Sequence, residues 1–314
     1  MVILENRHDR DRLLLEGTPD KRHLIWEIES RCTLACRYCY SNRTRSGAAT
    51  PERIGELIRE IAKSDVQHVH LTGGEPLLSP YLEEIVAGLS GKTLYITTNL
   101  TEGIDRLKRL LTAHSVYSLA ASVDALDPTV GDTLRGKTAT VLQNLQELLS
   151  FRREAGIKTK IRMHCVVSGK NLCHVPELLD WAHAQGVDEV SCQPVSIETG
   201  HRYFDELHLS ADDLPQLSAI WEAEERLFGS HYSRSHSALV EYYLKHRDCF
   251  VEDHTGLGIP FIDACGSIWS CAGKKRRLAD LGESGKGTRC DITMQCMTCL
   301  KHLALAKGDN NDRF

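Results

Sequence analysis

Strand-like and helix-like segments alternate along residues 20–195, and this alternation is the strongest constraint on the fold. Runs rich in apolar and β-branched residues predict six strands, at residues 23–29, 66–71, 93–98, 118–123, 160–167 and 189–194. Segments with helical periodicity predict helices between them, at residues 51–64, 81–89, 104–113, 139–155 and 175–185. Strands that alternate with helices form parallel sheets. The sequence therefore predicts an α/β fold, a partial (β/α)6 TIM-type barrel.

The rest of the chain predicts two further regions. Because 314 residues exceed the usual size of one domain, we expect the barrel at 20–195 to be followed by an acidic helical linker at 196–248 and a small domain at 249–306. The sequence has no bilayer-spanning apolar run and no signal-peptide pattern, which predicts a cytoplasmic protein with no membrane partner. A net charge of −5 argues against a nucleic-acid partner.

Twelve cysteines are the anomaly in the composition. A reducing cytoplasm does not maintain a disulfide framework, so metal or redox chemistry is the expected use of these thiols. Three cysteines lie close together, six lie in the last quarter of the chain, and three are isolated, namely Cys165, Cys173 and Cys192. We expect the isolated three to be ordinary buried residues.

The first group follows the first predicted strand, at the sheet edge where parallel α/β folds collect their chemistry. Cys32, Cys36 and Cys39 can bind three irons of a [4Fe–4S] cluster and leave the fourth iron open to another ligand. The alternatives are a structural zinc loop, which needs a fourth protein ligand nearby, or three core cysteines.

The segment after the second strand, Thr72-Gly73-Gly74-Glu75-Pro76, completes a pattern that resembles the radical S-adenosylmethionine (SAM) enzymes. The resemblance implies that SAM chelates the open iron and that Gly73, Gly74 and Glu75 meet its amino group. Glycines allow close approach of the backbone, and the Glu75 carboxylate can accept a charge-assisted hydrogen bond from an ammonium. An ordinary turn is the alternative for this segment.

The same resemblance implies further cofactor-binding residues near the cluster and at the ends of later strands. These are Tyr38, Thr98, Asn99, Ser122, Asp124 and Gln193. The stretch from Asp127 to Gly136 resembles the segment after strand four in members that carry extra clusters. Arg162 and His164 share one face of the fifth strand and could point into the barrel, with a structural role as the alternative.

Six cysteines between residues 249 and 299 predict a second metal site that follows a β-hairpin with its turn near Cys265. This region resembles the twitch or SPASM domains of radical SAM enzymes, which implies an auxiliary [4Fe–4S] cluster. Four thiolates serve one cluster. We expect Cys271, Cys296 and Cys299 as ligands, with the fourth left open between Cys265 and Cys290. The family spacing offers Cys249 as a ligand, and a zinc ribbon is the alternative.

In the family, SAM cleavage yields a 5′-deoxyadenosyl radical that abstracts hydrogen from an unactivated carbon. A thiol can return a hydrogen to the opposite face, because the S–H bond is weak, and we interpret Cys249 as this catalytic donor. The arrangement resembles radical SAM epimerases, which implies an isomerase that inverts a sugar carbon of an aminoglycoside in antibiotic biosynthesis. A radical SAM dehydrogenase of an aminocyclitol, a peptide-modifying SPASM-type maturase and an iron–sulfur electron carrier are the alternatives.

The acidic segment at 196–254 fits a cationic amino-sugar substrate, since opposite charge both steers and binds. The candidate carboxylates are Glu198, Asp205, Glu206, Glu252 and Asp253. Solvated helix faces are the alternative. The reaction implied by the resemblance also requires an external one-electron donor of the flavodoxin or ferredoxin type.

Overall fold

A computed structural model describes residues 23–39, 47–197, 199–229 and 259–269, with residues 240 and 244 and the backbone of 250–251, 277–278 and 290–291. The six longer strands are β1 (His23–Glu29), β2 (His68–Gly73), β3 (Thr93–Thr98), β4 (Ser118–Ser122), β5 (Lys160–Val167) and β6 (Glu189–Pro194). The shorter strands are β7 (Phe250–Val251), β8 (Phe261–Ile262), β9 (Ile268–Trp269), β10 (Arg277–Leu278) and β11 (Cys290–Asp291). The helices are α1 (Pro51–Lys63), α2 (Leu82–Gly88), α3 (Ile104–Ala113), α4 (Pro128–Leu134), α5 (Thr138–Glu154), α6 (Val175–Gln185), α7 (Phe204–Leu207) and α8 (Leu214–Phe228). Single 3-10 turns lie at Pro76–Leu78, Leu172–His174 and Ala211–Asp213.

Strands β1 to β6 pair in chain order, and every pair is parallel. At least one helix separates each strand from the next along the chain. Predicted and observed element ends in this region differ by two residues or fewer. These observations confirm an α/β fold with a mostly parallel sheet, while the closure of the sheet as a partial barrel stays a prediction.

Side chains alternate between the two faces of the sheet. On β5, Ile161 and Met163 are fully buried, whereas Arg162 and His164 are half-buried on the opposite face. Arg162 and His164 therefore share a face, as their spacing predicts.

Local signals fix where the helices begin. The Thr50 side chain accepts a hydrogen bond from Arg53 N (3.3 Å) at the start of α1, where Pro51 occupies the first turn. The Asp127 side chain accepts from Thr129 N (2.8 Å) and caps α4. These caps end the loops that follow β1 and β4, which carry candidate site residues.

The predicted hairpin forms from β8 and β9, and β8 extends the main sheet by pairing in parallel with β1. Its turn is held by Asp263, whose Oδ1 accepts from Cys265 N (3.0 Å) and Ser267 N (2.9 Å). Gly266 has φ +79°, a conformation that favours glycine. Because β8 runs parallel to β1, this turn lies at the sheet edge where β1 ends.

Several predicted residues lie outside the described part of the chain, namely Cys249, Cys271, Cys296, Cys299, Glu198, Glu252 and Asp253. For Cys290 the backbone alone is described, in β11, opposite Val251 of β7. The limits of the linker and of the C-terminal domain stay predictions. Among the described helices, none combines the length and the apolar character needed to cross a bilayer.

Candidate active site

The three cysteines of the first group lie in the cluster loop, defined here as residues 30–39, directly after β1. The loop folds back on itself where Cys39 N donates to Cys36 O (3.1 Å). Two N–H groups point at the Cys32 sulfur, Leu34 N and Asn99 Nδ2, each at 3.4 Å. All three cysteines are free thiols and partly exposed.

Electrostatics show that the three thiols are neighbours. Burial is the largest cause that raises the pKa of the Cys36 thiol to about 11, and the charges of Cys39 and Cys32 contribute to this increase. Burial also raises the pKa of Cys32. Bound metal removes such protons, because it stabilises the thiolate. Three mutually repelling thiolates on one loop therefore fit the ligand set of an iron–sulfur cluster.

Within the described residues, no group of three or more His, Cys, Asp or Glu side chains could hold a metal ion. A [4Fe–4S] cluster binds each cysteine through a different iron, so its ligands lie farther apart than those of one ion. Among the described residues this finding gives no support to the zinc alternative for the loop.

The Gly73-Gly74-Glu75 segment docks against the cluster loop through the main chain. Gly74 N donates to Glu29 O (2.7 Å), and Glu75 N donates to Arg31 O (2.8 Å). A Cβ at Gly73, where φ is +153°, would lie 2.3 Å from Glu29 O, and a Cβ at Gly74 would lie 2.2 Å from Arg31 O. The end of β1 therefore requires both glycines, and their approach to a ligand stays a prediction.

The Glu75 carboxylate is buried and accepts three hydrogen bonds. Its Oε1 accepts from Leu77 N (3.0 Å) and Thr98 Oγ1 (2.7 Å), and its Oε2 accepts from Asn99 N (2.7 Å). Burial raises the pKa of Glu75. A carboxylate offers about four acceptor positions. One position on Glu75 thus remains for a cationic ligand group.

Asn99 connects Glu75 to the first cysteine of the loop. Its backbone N–H binds Glu75, while its side-chain Nδ2 donates to Cys32 Sγ and to Thr33 Oγ1 (3.1 Å). Asn99 Oδ1 accepts from Thr101 N (3.0 Å) and Thr101 Oγ1 (2.8 Å), which fixes the orientation of the amide. The ends of β1, β2 and β3 therefore meet in one network, as the sequence predicts for parallel strands.

A second buried group lies behind the loop. Tyr38 Oη donates to Asp124 Oδ2, and Asp124 Oδ1 accepts from Val166 N (2.9 Å). Arg135 Nη1 donates to Tyr38 Oη (2.8 Å). Burial raises the pKa of both Tyr38 and Asp124. Sequence reasoning did not select Arg135 as a site residue, and its one signal was its place in the Leu134-Arg135-Gly136 segment.

The remaining predicted residues are less closely connected. Ser122 is buried at the end of β4, and Gln193 Nε2 donates to Ser191 Oγ at 3.5 Å on β6. Among the acidic candidates, Glu206 pairs with Arg37 (3.0 Å) and Lys170 (3.5 Å). Glu206 thus neutralises cations of this chain.

Cys265, a predicted auxiliary-cluster ligand, occupies the turn between β8 and β9. Its sulfur lies 3.4 Å from the position that a Cβ at Gly47 would take. Residue 47 belongs to the connection between β1 and α1, so Cys265 lies beside the chain that leaves the cluster loop.

Comparison with known proteins finds the same family along the region that forms this site. The family model described as "Radical SAM superfamily" matches residues 26–182, half of the chain. GTP 3',8-cyclase of Aquifex aeolicus is 33% identical over 165 residues, which cover 49% of this chain and 50% of that protein. Pre-heme d1 synthase of Dinoroseobacter shibae is 29% identical over 187 residues, which cover 58% of this chain and 45% of that protein. The chain spans about half the length of these curated relatives.

Among solved structures, Streptococcus suis SuiB bound to S-adenosylmethionine superposes with a TM-score of 0.64 and 17% identity, over 94% of this chain and 66% of that one. At this identity the likeness concerns the fold alone. Members of the matched family use a [4Fe–4S] cluster and SAM. The cysteine loop, the Glu75 network and the family match together place the chain in the radical SAM superfamily.

Proposed function

We propose that Cys32, Cys36 and Cys39 bind a [4Fe–4S] cluster and that Glu75 accepts a hydrogen bond from the amino group of SAM. The observation that carries this proposal is Asn99, which binds the Cys32 sulfur through its side chain and the Glu75 carboxylate through its backbone. The cluster ligands and the amine acceptor are thereby held in one buried network. When bound, the cluster supplies one electron to SAM, whose cleavage gives the 5′-deoxyadenosyl radical.

The residues around this network have further roles in binding the cofactor. Thr98 and Asn99 orient the Glu75 carboxylate, so that its free acceptor position faces the cofactor. Ser122 and Gln193 lie at the ends of β4 and β6, where they contact other parts of SAM. Gly73 and Gly74 hold the segment against β1. Tyr38 and Asp124, which are joined by a hydrogen bond, are proposed as further cofactor-binding residues.

For the substrate reaction we propose epimerisation of an aminoglycoside sugar carbon, of the kind that converts neomycin C to neomycin B. Cys249 donates a hydrogen atom to the sugar-carbon radical from the face opposite the 5′-deoxyadenosyl group. One external electron, passed through the auxiliary cluster, and one proton then return the Cys249 thiyl radical to the thiol. An auxiliary [4Fe–4S] cluster takes four ligands from Cys265, Cys271, Cys290, Cys296 and Cys299. The β8–β9 turn supports this proposal, because it brings Cys265 to the sheet edge where the cluster loop lies.

The proposed partners follow from this chemistry. The substrate is a cationic amino sugar, and the acidic segment at 196–254 supplies opposite charge. Because Glu206 is paired with Arg37, other carboxylates of the segment must bind the substrate. The electron comes from an external carrier of the flavodoxin or ferredoxin type, in the cytoplasm.

A GTP cyclase reaction is the second candidate. The 33% identity to the Aquifex aeolicus GTP 3',8-cyclase favours it, although the alignment covers about half of each chain. A cyclase uses the radical to join two parts of one nucleotide and has no need of a donor thiol. A dehydrogenase or a peptide maturase would likewise work without Cys249 as donor.

Turnover in heavy water separates these reactions. Anaerobically reconstituted protein with SAM and reductant should convert neomycin C to neomycin B and place one deuterium at the inverted carbon. A carbonyl product without that label would indicate a dehydrogenase, and consumption of GTP instead of neomycin C would support the cyclase. If none of these compounds increases 5′-deoxyadenosine formation, both substrate proposals fail.

The Cys249→Ala variant tests the donor, with Cys173→Ala as the matched control. Cys165 and Cys192 are buried as expected, but the expectation was wrong for Cys173, which is an exposed thiol in the connection between β5 and α6. C249A should still form 5′-deoxyadenosine but yield no epimer, whereas C173A should behave like wild type. Loss of the spectroscopic signal of the second cluster in C249A would make Cys249 a ligand. Iron analysis should find close to two clusters per chain, and one cluster plus zinc would refute the auxiliary cluster.

A further inference from the structure

A buried arginine lies behind the cluster loop. Arg135 directly follows α4, and 14% of its side-chain surface is exposed, while the Asp124 side chain beside it is fully buried. The Arg135 guanidinium lies 3.7 Å from Asp124 Oδ2 and donates to Tyr38 Oη at 2.8 Å. Buried charges destabilise a fold unless they are paired. Arg135, Asp124 and Tyr38 therefore form one charge-paired unit, called the Arg135 unit below.

Two hydrogen bonds tie the end of α4 to the loop between its second and third cysteines. Arg37 N donates to Leu134 O (3.0 Å), and Arg135 donates to the Tyr38 hydroxyl. Residues 37 and 38 are the whole of the chain between these two cysteines, so both intervening residues are tethered. The other end of the unit is fixed, because Asp124 also accepts from Val166 N on β5.

The Arg135 guanidinium places a positive charge at the hydroxyl of Tyr38, a residue of the chain between Cys36 and Cys39. Burial raises the pKa of Cys36, and among its charged neighbours Arg135 has the largest effect, a lowering that exceeds the increase due to Asp124. The charge of Arg135 also lowers the pKa of Glu75, which burial raises. These directions agree with the geometry, in which the end of α4 contacts both residues between Cys36 and Cys39.

We infer that Arg135 is a positioning residue that clamps the cluster loop and, through its charge at the Tyr38 hydroxyl, raises the reduction potential of the cluster bound there. The inference rests on the proposed cluster at Cys32, Cys36 and Cys39. One electron from the reductant adds one negative charge to the cluster. Net charge and hydrogen bonding around the ligands set the potential of such clusters, and a nearby cation stabilises the reduced form.

The test is an EPR-monitored redox titration of the reconstituted full chain, with dithionite and mediators. The EPR signal that changes on addition of SAM identifies the cluster at the loop. In R135Q the ratio of reduced to oxidised cluster at a fixed potential should fall about tenfold, which is about 59 mV for a one-electron couple. R135K keeps the charge and should stay within about twofold of wild type. D124N removes the neighbouring anion and should shift the ratio in the opposite direction, upward.

Arg152→Gln is the matched control. The Arg152 side chain is 15% exposed and pairs with Asp188, whose carboxylate accepts from Ile161 N just as Asp124 accepts from Val166 N. This pair lies where β5 and β6 begin, at the opposite sheet edge from the loop. R152Q, which also removes a paired and largely buried arginine, should therefore leave the potential unchanged.

A purely structural role for Arg135 predicts a different pattern. R135Q and D124N would then both lower the iron content, and the potential of the loaded fraction would equal that of wild type. An unchanged potential in R135Q, or shifts of the same sign in R135Q and D124N, overturns the inference. If R135Q does not bind a cluster, the potential of D124N decides: a rise supports the inference, and no change or a fall overturns it. Wild-type protein without a SAM-responsive cluster would instead refute the proposed function.

Discussion

Gly74→Ala is the sharpest test of how the Gly73-Gly74-Glu75 segment docks against the cluster loop. A Cβ at this position would lie 2.2 Å from Arg31 O, 2.6 Å from Arg31 C and 2.7 Å from Ser30 O. All three are main-chain atoms, so no side-chain rotation can relieve the overlap. The segment that carries Glu75 must therefore move away from the cluster loop.

The energetic effect follows from the contacts that this movement breaks. Gly74 N–Glu29 O and Glu75 N–Arg31 O are the two hydrogen bonds between the segments. Each contributes about 0.5–1.5 kcal/mol, and overpacking adds about 1–3 kcal/mol. The free energy of unfolding should thus fall by roughly 2–6 kcal/mol. For a domain of about 200 residues, each kcal/mol lowers Tm by about 2–4 °C.

Thermal unfolding of the metal-free protein measures this effect without any cofactor, and calorimetric titration with SAM after reconstitution measures the displacement of Glu75. Gly91→Ala is the matched control, because a Cβ at Gly91 would have no neighbour within 4 Å. G91A should unfold at or slightly above the wild-type temperature, since alanine restricts the unfolded chain. If G74A and G91A unfold together, the docking of this segment against β1 is wrong.

The other predictions concern Glu75, the thiols and the end of β1. Glu75→Gln should lower the free energy of unfolding by about 1–3 kcal/mol in denaturant titrations, because the amide N–H₂ would face a group that donates to Glu75 in the wild type. An unchanged denaturant midpoint would contradict this prediction. Cys36→Ser should abolish the cluster in iron and absorbance assays, whereas Cys173→Ser should load iron as wild type does; equal loading in both variants would exclude Cys36 as a ligand. Burial raises the pKa of Glu29, but the hydrogen bonds from Arg31 outweigh this effect and leave the pKa below 4.5. The Glu29–Arg31 pair therefore stabilises the folded state above pH 4.5, and this stabilisation is lost as the pH falls through the pKa of Glu29 in the folded state. Arg31→Gln should weaken this dependence of stability on acidic pH. If the denaturant midpoints of wild type and variant change in parallel with pH, the assigned role of Arg31 is refuted.

The sequence predicts the longer elements well, because their signals are local. Periodicity and flanking turn residues place β1, β3 and α3 with correct ends. Helix α4 is missed, since its seven residues include Gly131 and two threonines, all weak helix formers. Close packing explains the glycine, because a Cβ there would lie 2.3 Å from Thr138 Oγ1.

For the site residues too, local motifs are predicted from the sequence and long-range contacts are not. Cys32 and Glu75 belong to motifs whose spacing carries their chemistry, and the structure joins them through Asn99. Arg135 could not be selected, because its contact with Tyr38 spans 97 positions and exists only in the folded chain. Arginine is mostly exposed in proteins, so its sequence position gives no sign of burial.

One irregularity explains why the cysteine loop and the glycine pair occur together. The register between β1 and β2 shifts at its end, so that Glu27 pairs with Thr72 and Glu29 pairs with Gly73, which leaves Ile28 as an extra residue. Such a bulge bends its strand. The residues after this shift contact the segment after β2, where a Cβ at Gly73 would lie 2.3 Å from Glu29 O and a Cβ at Gly74 would lie 2.2 Å from Arg31 O. The start of the cluster loop and the Gly73-Gly74-Glu75 segment are therefore held together by main-chain contacts, which only glycine at residues 73 and 74 allows.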